Sequence, residues 1–257
     1  MSASPEIRVL PSLQELFHAA AQHFVQQATE AVGRSGRFTV ALAGGSTPKG
    51  LYSLLAAQFR SSMLWKQTYF FWGDERHVPR DHPDSNFRMA NEAMLSKVPV
   101  PANNIFRIPA EGKDADEVAL QYEQTIRSFF QLKTGELPRF DLILLGLGPD
   151  GHAASLFPGT SALRETSRLV VANWVEKFQT HRITLTLPVL NHAACISFLV
   201  AGADKAPALH EVLEGDAPGE QFPAKLVKPA QGKLIWFVDR AAASGLSKSL
   251  EQNTAKI

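Results

Sequence analysis

Apolar residues near the start of the chain recur three and four positions apart: Leu13, Leu16, Phe17, Ala20 and Phe24. That spacing lays one apolar stripe along a helix. Ser12, followed three residues later by Glu15, makes a capping box at its start, and Gly33 and Gly36 end it, so a helix is predicted from about Ser12 to Val32. The period then changes. Phe38-Thr-Val-Ala-Leu-Ala43 is an unbroken apolar run of strand length, and Thr47 with Pro48 behind it is read as the cap and first position of a second helix, with Leu51, Leu54 and Leu55 on its inner face. The alternation continues. Strands are predicted at Thr68–Trp72, Phe140–Leu145, Cys195–Ala201 and Leu234–Val238, and a more alternating one at Arg182–Leu187, nearer an edge. Helices are predicted at Ser85–Leu95, Asp114–Phe130 and Asp204–Leu213, with a final helix from near Arg240. Strands that are apolar throughout belong to a parallel sheet covered on both faces. The expected fold is therefore α/β, a Rossmann-like three-layer α/β/α arrangement with a mostly parallel sheet. The stretch from Gly215 to Gly232 reads as a surface loop and not a boundary, so residues 1–257 are taken as one domain.

Composition narrows the function without naming it. Apolar residues make up 45% and charged residues 20%, with a formal net charge of +1. Such a balance gives no case for nucleic-acid or membrane partners, and the sequence gives no signal for one oligomeric state over another. The single cysteine, Cys195, lies in an apolar run. It is expected to be a small buried hydrophobe in a reducing compartment, and no disulfide framework is available. The opening Met-Ser-Ala-Ser-Pro-Glu lacks the basic start and apolar core of a secretory signal, and no apolar stretch is long enough to span a bilayer. A cytoplasmic location is expected.

The residues that carry chemistry lie at predicted strand ends, where open α/β sheets bind their ligands. Gly44-Gly45-Ser46-Thr47-Pro48 follows the first strand. Glycines let a ligand approach the backbone, hydroxyls stand ready, and a helix N-terminus offers free N–H groups: together a phosphate cradle. A plain tight turn with a capping threonine fits the same residues. The loop is not a Walker loop, and Pro48 stands where a nucleophile elbow needs its second glycine. Trp72-Gly73-Asp74-Glu75-Arg76-His77 follows another strand. Three adjacent charges are not expected in a core. Asp74 can hold a proton, and Arg76 can fork onto a carboxylate, phosphate or oxyanion; a solvated, salt-bridged loop is the plainer alternative.

Gly146-Leu147-Gly148-Pro149-Asp150-Gly151-His152 contains G-x-G-x-x-G after a strand. A dinucleotide reading fails, because Pro149 and Asp150 would set a rigid ring and a negative charge against the pyrophosphate. The glycines are better read as a turn presenting Asp150 and His152 together, a base tunable near neutral pH. The alternative is that Asp150 merely caps a short helix starting at His152. Arg182 at the start of a strand and Lys205 at the start of a helix complete the set. A lysine in a first helical turn opposes the helix dipole unless an anion is near. No H-E-x-x-H or closely spaced His/carboxylate set suggests a metal.

Read in order, these blocks resemble the 6-phosphogluconolactonase family. They are Gly44–Pro48, Trp72–Pro79 with Asp84-Ser85-Asn86-Phe87-Arg88-Met89, Gly146–Gly159, Arg182-Ile183-Thr184-Leu185 and Gly202-Ala203-Asp204-Lys205. The resemblance runs from about residue 10 to residue 240. It implies an α/β fold related to glucosamine-6-phosphate deaminases and isomerases, hydrolysis of 6-phosphoglucono-δ-lactone to 6-phosphogluconate in the oxidative pentose phosphate pathway, and no metal or organic cofactor. On that footing Gly45, Ser46, Thr47, Arg182 and Lys205 are expected to bind the substrate phosphate, His152 to activate a water, Asp150 to orient the imidazole, Arg76 to meet the oxyanion and Asp74 to orient substrate hydroxyls or the water. Two other activities compete. An amino-sugar-phosphate isomerase or deaminase needs a further glutamate after the Asp-Gly-His turn, where Ala153-Ala154-Ser155-Leu156-Phe157 supplies none, and tends to carry an aromatic where Arg76 stands. A sugar-phosphate sensor of a transcription regulator needs a DNA-binding module, and no basic helix-turn-helix precedes Phe38.

Overall fold

The structure, a computed structural model, describes residues 4–247. A six-stranded sheet forms its centre, in the order β1-β9-β8-β5-β2-β3, every neighbouring pair parallel. Its strands are β1 (Glu6–Leu10), β2 (Phe38–Leu42), β3 (Thr68–Trp72), β5 (Leu142–Gly146), β8 (Cys195–Val200) and β9 (Lys233–Asp239). Helices cover both sides. β2 and β8 are buried at every residue, which is why they read as continuous apolar runs.

Three helices begin where the sequence placed their starts. In α1 (Leu13–Ser35) the Glu15 amide donates to Ser12 Oγ at 3.3 Å, and Ser12 Oγ donates to Glu15 Oε2 at 3.0 Å. The helix runs through Gly33 and stops at Gly36, whose φ of 74° suits a left-handed cap. Ser85 caps α3 (Asn86–Ala93) and Asp114 caps α4 (Ala115–Phe130). α5 spans Leu187–Asn191 and α6 spans Ala206–Leu213.

Four sequence expectations change. β1 escaped notice because Glu6 and Arg8, paired at 2.6 Å, break up a short edge strand. The strand predicted at Arg182–Leu187 is β7 (Thr180–Leu185), and it leaves the main sheet altogether. It is the middle of an antiparallel three-stranded sheet with β4 (Asp74–Arg76) and β6 (Val170–Val175), neither of them predicted. α2 (Ser46–Gln58) has Gly45, not Thr47, as its N-cap, at a φ of 103° that suits glycine. The chain near Arg240 forms only a 3-10 turn, Ala242–Gly245; any helix further on lies outside the described residues.

One buried apolar cluster includes members from Ile7 to Leu246. Cys195 is in it, its Sγ 3.6 Å from His23 Nε2, and burial pushes its thiol up to about 11. Among the described residues no helix is long and apolar enough to cross a membrane.

Candidate active site

The sheet has a switch point. From β2 the chain proceeds to β3 on one side; from β5 it passes through β6 and β7 to β8 on the other. Between neighbouring β2 and β5 a crevice opens at the carboxyl ends, the place where such sheets take ligands. A cleft of about 250 Å³ lies there, lined by residues of the Gly44–Pro48 loop, the Gly146–Phe157 segment, β4, β7 and Lys205. That is near the lower end of ligand-pocket sizes, about 300–1,000 Å³, and suits one small molecule.

Every site residue named from the sequence except Asp150 lines the cleft: Gly45, Ser46, Thr47, Asp74, Arg76, His152, Arg182 and Lys205. Asp150 stands one layer out, on His152. Its Oδ1 lies 2.5 Å from His152 Nδ1, which leaves Nε2 as the ring nitrogen free to take a proton. Burial alone would raise the Asp150 carboxyl, but the His152 hydrogen bond and charge, with Lys177 Nζ 3.5 Å away, hold it well below the usual carboxylate range. Gly148 makes the pair possible: a Cβ there would lie 2.0 Å from His152 Nδ1 and 2.8 Å from Asp150 Oδ1. The turn closes through Gly148 N to His152 O at 2.9 Å and Gly151 N to Gly148 O at 3.0 Å. No helix starts at His152, so Asp150 caps none. The Gly215–Gly232 stretch also does more than cross the surface. Phe222 packs against Gly151, and the Ala224 amide donates to Gly151 O at 2.8 Å.

The imidazole is flanked by residues the sequence did not single out. Phe157 stacks on it at 4.1 Å, and Phe178 meets Phe157 edge-on at 5.8 Å. Phe178 comes from the β6–β7 connection and is 45% exposed at the cleft wall. Its only sequence signal was an aromatic among polar neighbours.

The charged strand β4 is mostly buried, against expectation. Asp74 is 7% exposed and Glu75 2%. Glu75 tolerates this because the start of α3 feeds it donors: the Asn86 amide at 2.7 Å, the Phe87 amide at 2.8 Å and Ser85 Oγ at 3.1 Å, with the Arg76 amide at 2.8 Å. Burial still pushes its carboxyl above the ordinary value, and the amides oppose that rise. Asp74 receives Ser155 Oγ at 2.6 Å.

Arg76 and Arg182 stand directly opposite each other across the β4–β7 pair. Like charges so placed repel. Burial, and then Arg76, lower the Arg182 pKa. Arg76 Nη1 donates to Asp84 O at 2.6 Å, but the Nε of each arginine is buried without a partner. Lys205 Nζ lies 3.1 Å from the exposed Asp204 carboxylate. Its backbone approaches through Gly202, whose amide donates to both Asp239 oxygens at 3.1 and 3.2 Å. The first turn of α2 has no side-chain cap, which leaves its amides to whatever binds. Among the described residues, no three His, Cys, Asp or Glu side chains gather as metal ligands.

Comparison with known proteins bears on what this cleft serves. A 6-phosphogluconolactonase of a Synechocystis species is 44% identical over 243 residues, covering 95% of this chain and 99% of that one. One of a Nostoc species is 42% identical over 94% and 98%. The solved structure of 6-phosphogluconolactonase from Trypanosoma cruzi superposes with a TM-score of 0.85 at 31% identity, covering 96% of this chain and 98% of that one. Residues 11–236 match the family model described as glucosamine-6-phosphate isomerases/6-phosphogluconolactonase. That span takes in every cleft residue, from the Gly44 loop through Lys205, and the chain therefore belongs to that family.

Proposed function

We propose that this protein hydrolyses 6-phosphoglucono-δ-lactone to 6-phosphogluconate with a water activated by His152. The phosphate lies against the α2 amides of Gly45–Thr47, the Ser46 and Thr47 hydroxyls, Arg182 and Lys205. Holding that remote group fixes the lactone carbonyl near His152. His152 Nε2 takes a proton from the water as its oxygen bonds to C1, and the carbonyl electrons move to an oxyanion that Arg76 meets. A single well-aimed donor there is worth about 3 kcal/mol. Collapse of the tetrahedral intermediate breaks the bond from C1 to the ring oxygen, and the imidazolium returns its proton to that oxygen. Asp150 holds the ring and its positive charge. Asp74 accepts a substrate hydroxyl or the attacking water.

The observation that carries the reading is the pairing, within one small cleft, of the Asp150-held imidazole with two opposed arginines whose buried Nε groups lack partners. The first is a base, and the second is a site short of an anion. The wall from Ala153 to Phe157 is without a carboxylate, and the residue on the imidazole is Phe157, which favours hydrolysis over amino-sugar-phosphate isomerisation. We assign the reaction to the oxidative pentose phosphate pathway in the cytoplasm, and the chain to one domain. Family membership, the buried Cys195 thiol and the one apolar cluster of the described residues support these readings.

The test is direct. The lactone, generated in situ, is followed with and without purified chelator-treated protein, and spontaneous hydrolysis is subtracted. Acceleration that survives chelation is expected at catalytic protein concentrations; its absence would remove the proposal.

A further inference from the structure

Asp74 is a buried carboxylate without a cation: among the described residues no Lys, Arg or His nitrogen lies within 4.0 Å of it. A charge in that position must be held by hydrogen bonds. Two neutral side chains hold it. Ser155 Oγ donates to Oδ2 at 2.6 Å, a length typical of hydroxyl-to-carboxylate bonds. Asn86 Nδ2 reaches Oδ1 at 3.4 Å and, more closely, the Asp74 carbonyl at 2.9 Å.

Ser155 is anchored at three points. Its amide donates to Thr184 Oγ1 at 3.2 Å, its carbonyl accepts Asn173 Nδ2 at 2.9 Å, and its side chain is the one on Asp74. Thr184 is the register partner of Asp74 across β4 and β7, so Ser155 straddles that strand pair from the side. The chain reaches this place through Ala154, held at a φ of +50°, a backbone state alanine adopts at some cost. His152 lies only three residues earlier. The strained segment thus joins the loop that presents the imidazole to the strand that presents Asp74 and Arg76.

We propose that Ser155 is a positioning residue of the hydrolytic site. Its hydroxyl fixes the Asp74 carboxylate in one orientation and sets the spacing between Asp74 and His152. This inference rests on the lactonase reading above. Asp74 lines the cleft, and there its carboxylate, held through Oδ2 by Ser155, meets a substrate hydroxyl or the attacking water.

The wild-type protein is assayed first on the lactone generated in situ; inactivity there would sink the lactonase reading and this one with it. Given activity, Ser155→Ala is expected to lower kcat by about 10- to 100-fold, the worth of one hydrogen bond to a charged group. Its affinity for 6-phosphogluconate, measured by calorimetry, stays within about threefold, because the product is held chiefly through its phosphate. In an Asp74→Ala background the same Ser155→Ala change is expected to cost less than about twofold, since Ser155 acts through Asp74. Three results overturn the proposal while leaving the lactonase reading intact. They are a Ser155→Ala enzyme with wild-type kcat, equal losses with and without Asp74, and loss of product binding alongside kcat, which would make Ser155 a support of the whole cleft.

Discussion

In the six-stranded parallel sheet β2 and β8 bury every side chain, and the strands reach the cleft only at their carboxyl ends, through Gly146 of β5 and Leu199 and Val200 of β8, and through the loops beyond. The three-stranded antiparallel sheet is the reverse. Its strands themselves carry Asp74, Arg76 and Arg182 to the cleft, with Glu75 buried behind them. The first sheet is stabilised by apolar burial, about 25 cal/mol for each Å² removed from water. The second sets like charges opposite each other and depends on donors lent by neighbours: the start of α3 for Glu75, Ser155 for Asp74. The large sheet provides rigidity and three presenting loops, after β2, β5 and β8. The small one gives up some stability to place charge where a substrate lies, a division seen wherever functional sites carry strain that the scaffold supports.

The division predicts that damage separates cleanly. The largest effect belongs to the loop after β5. His152→Ala is expected to lower kcat by about 100- to 10,000-fold with KM little changed, the usual worth of a general base, while thermal unfolding barely moves. Steady-state kinetics beside a melting curve checks both halves; near-native kcat would take the histidine out of the mechanism. Leu142→Ala should do the opposite. Leu142 is fully buried at the amino end of β5, paired with Val40 and far from the loop. Removing its side chain is expected to destabilise by about 2–5 kcal/mol, with kcat at 25 °C unchanged. A large kcat loss there would show that the sheets are energetically coupled.

His23 extends the contrast to pH. It is buried in α1 against Phe237, and burial, then Arg8, lower its pKa from 6.5 to about 4. The unfolded chain therefore takes up this proton near pH 6.5 and the folded chain only near 4. Between those values the unfolded state binds more protons, and stability falls as pH falls. The full penalty, reached below the folded value, is about 3 kcal/mol. Denaturant melts of wild type and His23→Gln at pH 7 and pH 5 should converge as the medium becomes acidic. A wild-type curve that loses no more than the variant over that interval would remove His23 from the acid response.

How much of this was legible follows the same line. Caps announced themselves locally: Ser12 with Glu15, Ser85 and Asp114 each sit next to the amides they bind. The apolar strands of the large sheet needed only their own composition. The glycine turn presenting Asp150 and His152 also lay within seven residues. The small sheet was not legible, because its strands are short and their polarity is that of loops. β4 is three charged residues whose burial depends on donors eleven positions away, as in Asn86 to Glu75. The alternation in β7 gave a strand but placed it nearer an edge, and nothing in it names its neighbours as β4 and β6, between which it is the middle strand. The contact from Ser155 to Asp74 spans 81 positions between residue types that are ordinary in a turn. Phe157 and Phe178 carry no chemical signal of their own; the fold alone sets one on the imidazole and the other at the cleft wall.

The smallest effect should have the unusual sign. Arg182 faces Arg76, and its guanidinium also lies over Phe178 at 5.2 Å. Methionine keeps most of the apolar stem and removes the charge. If the pair is held apart from its preferred anion in the free protein, Arg182→Met relieves a like-charge opposition and is expected to raise stability by about 0.5–1 kcal/mol. The same change takes away a charged contact to the proposed phosphate, so KM should rise about 10- to 100-fold while kcat falls less. Ligand linkage separates the two effects: 6-phosphogluconate should raise the wild-type melting temperature more than that of the variant, and at high enough ligand the order of stabilities should reverse. A variant less stable than wild type without ligand would mean that Arg182 is satisfied within the protein, and the cleft would lose its claim to be waiting for an anion.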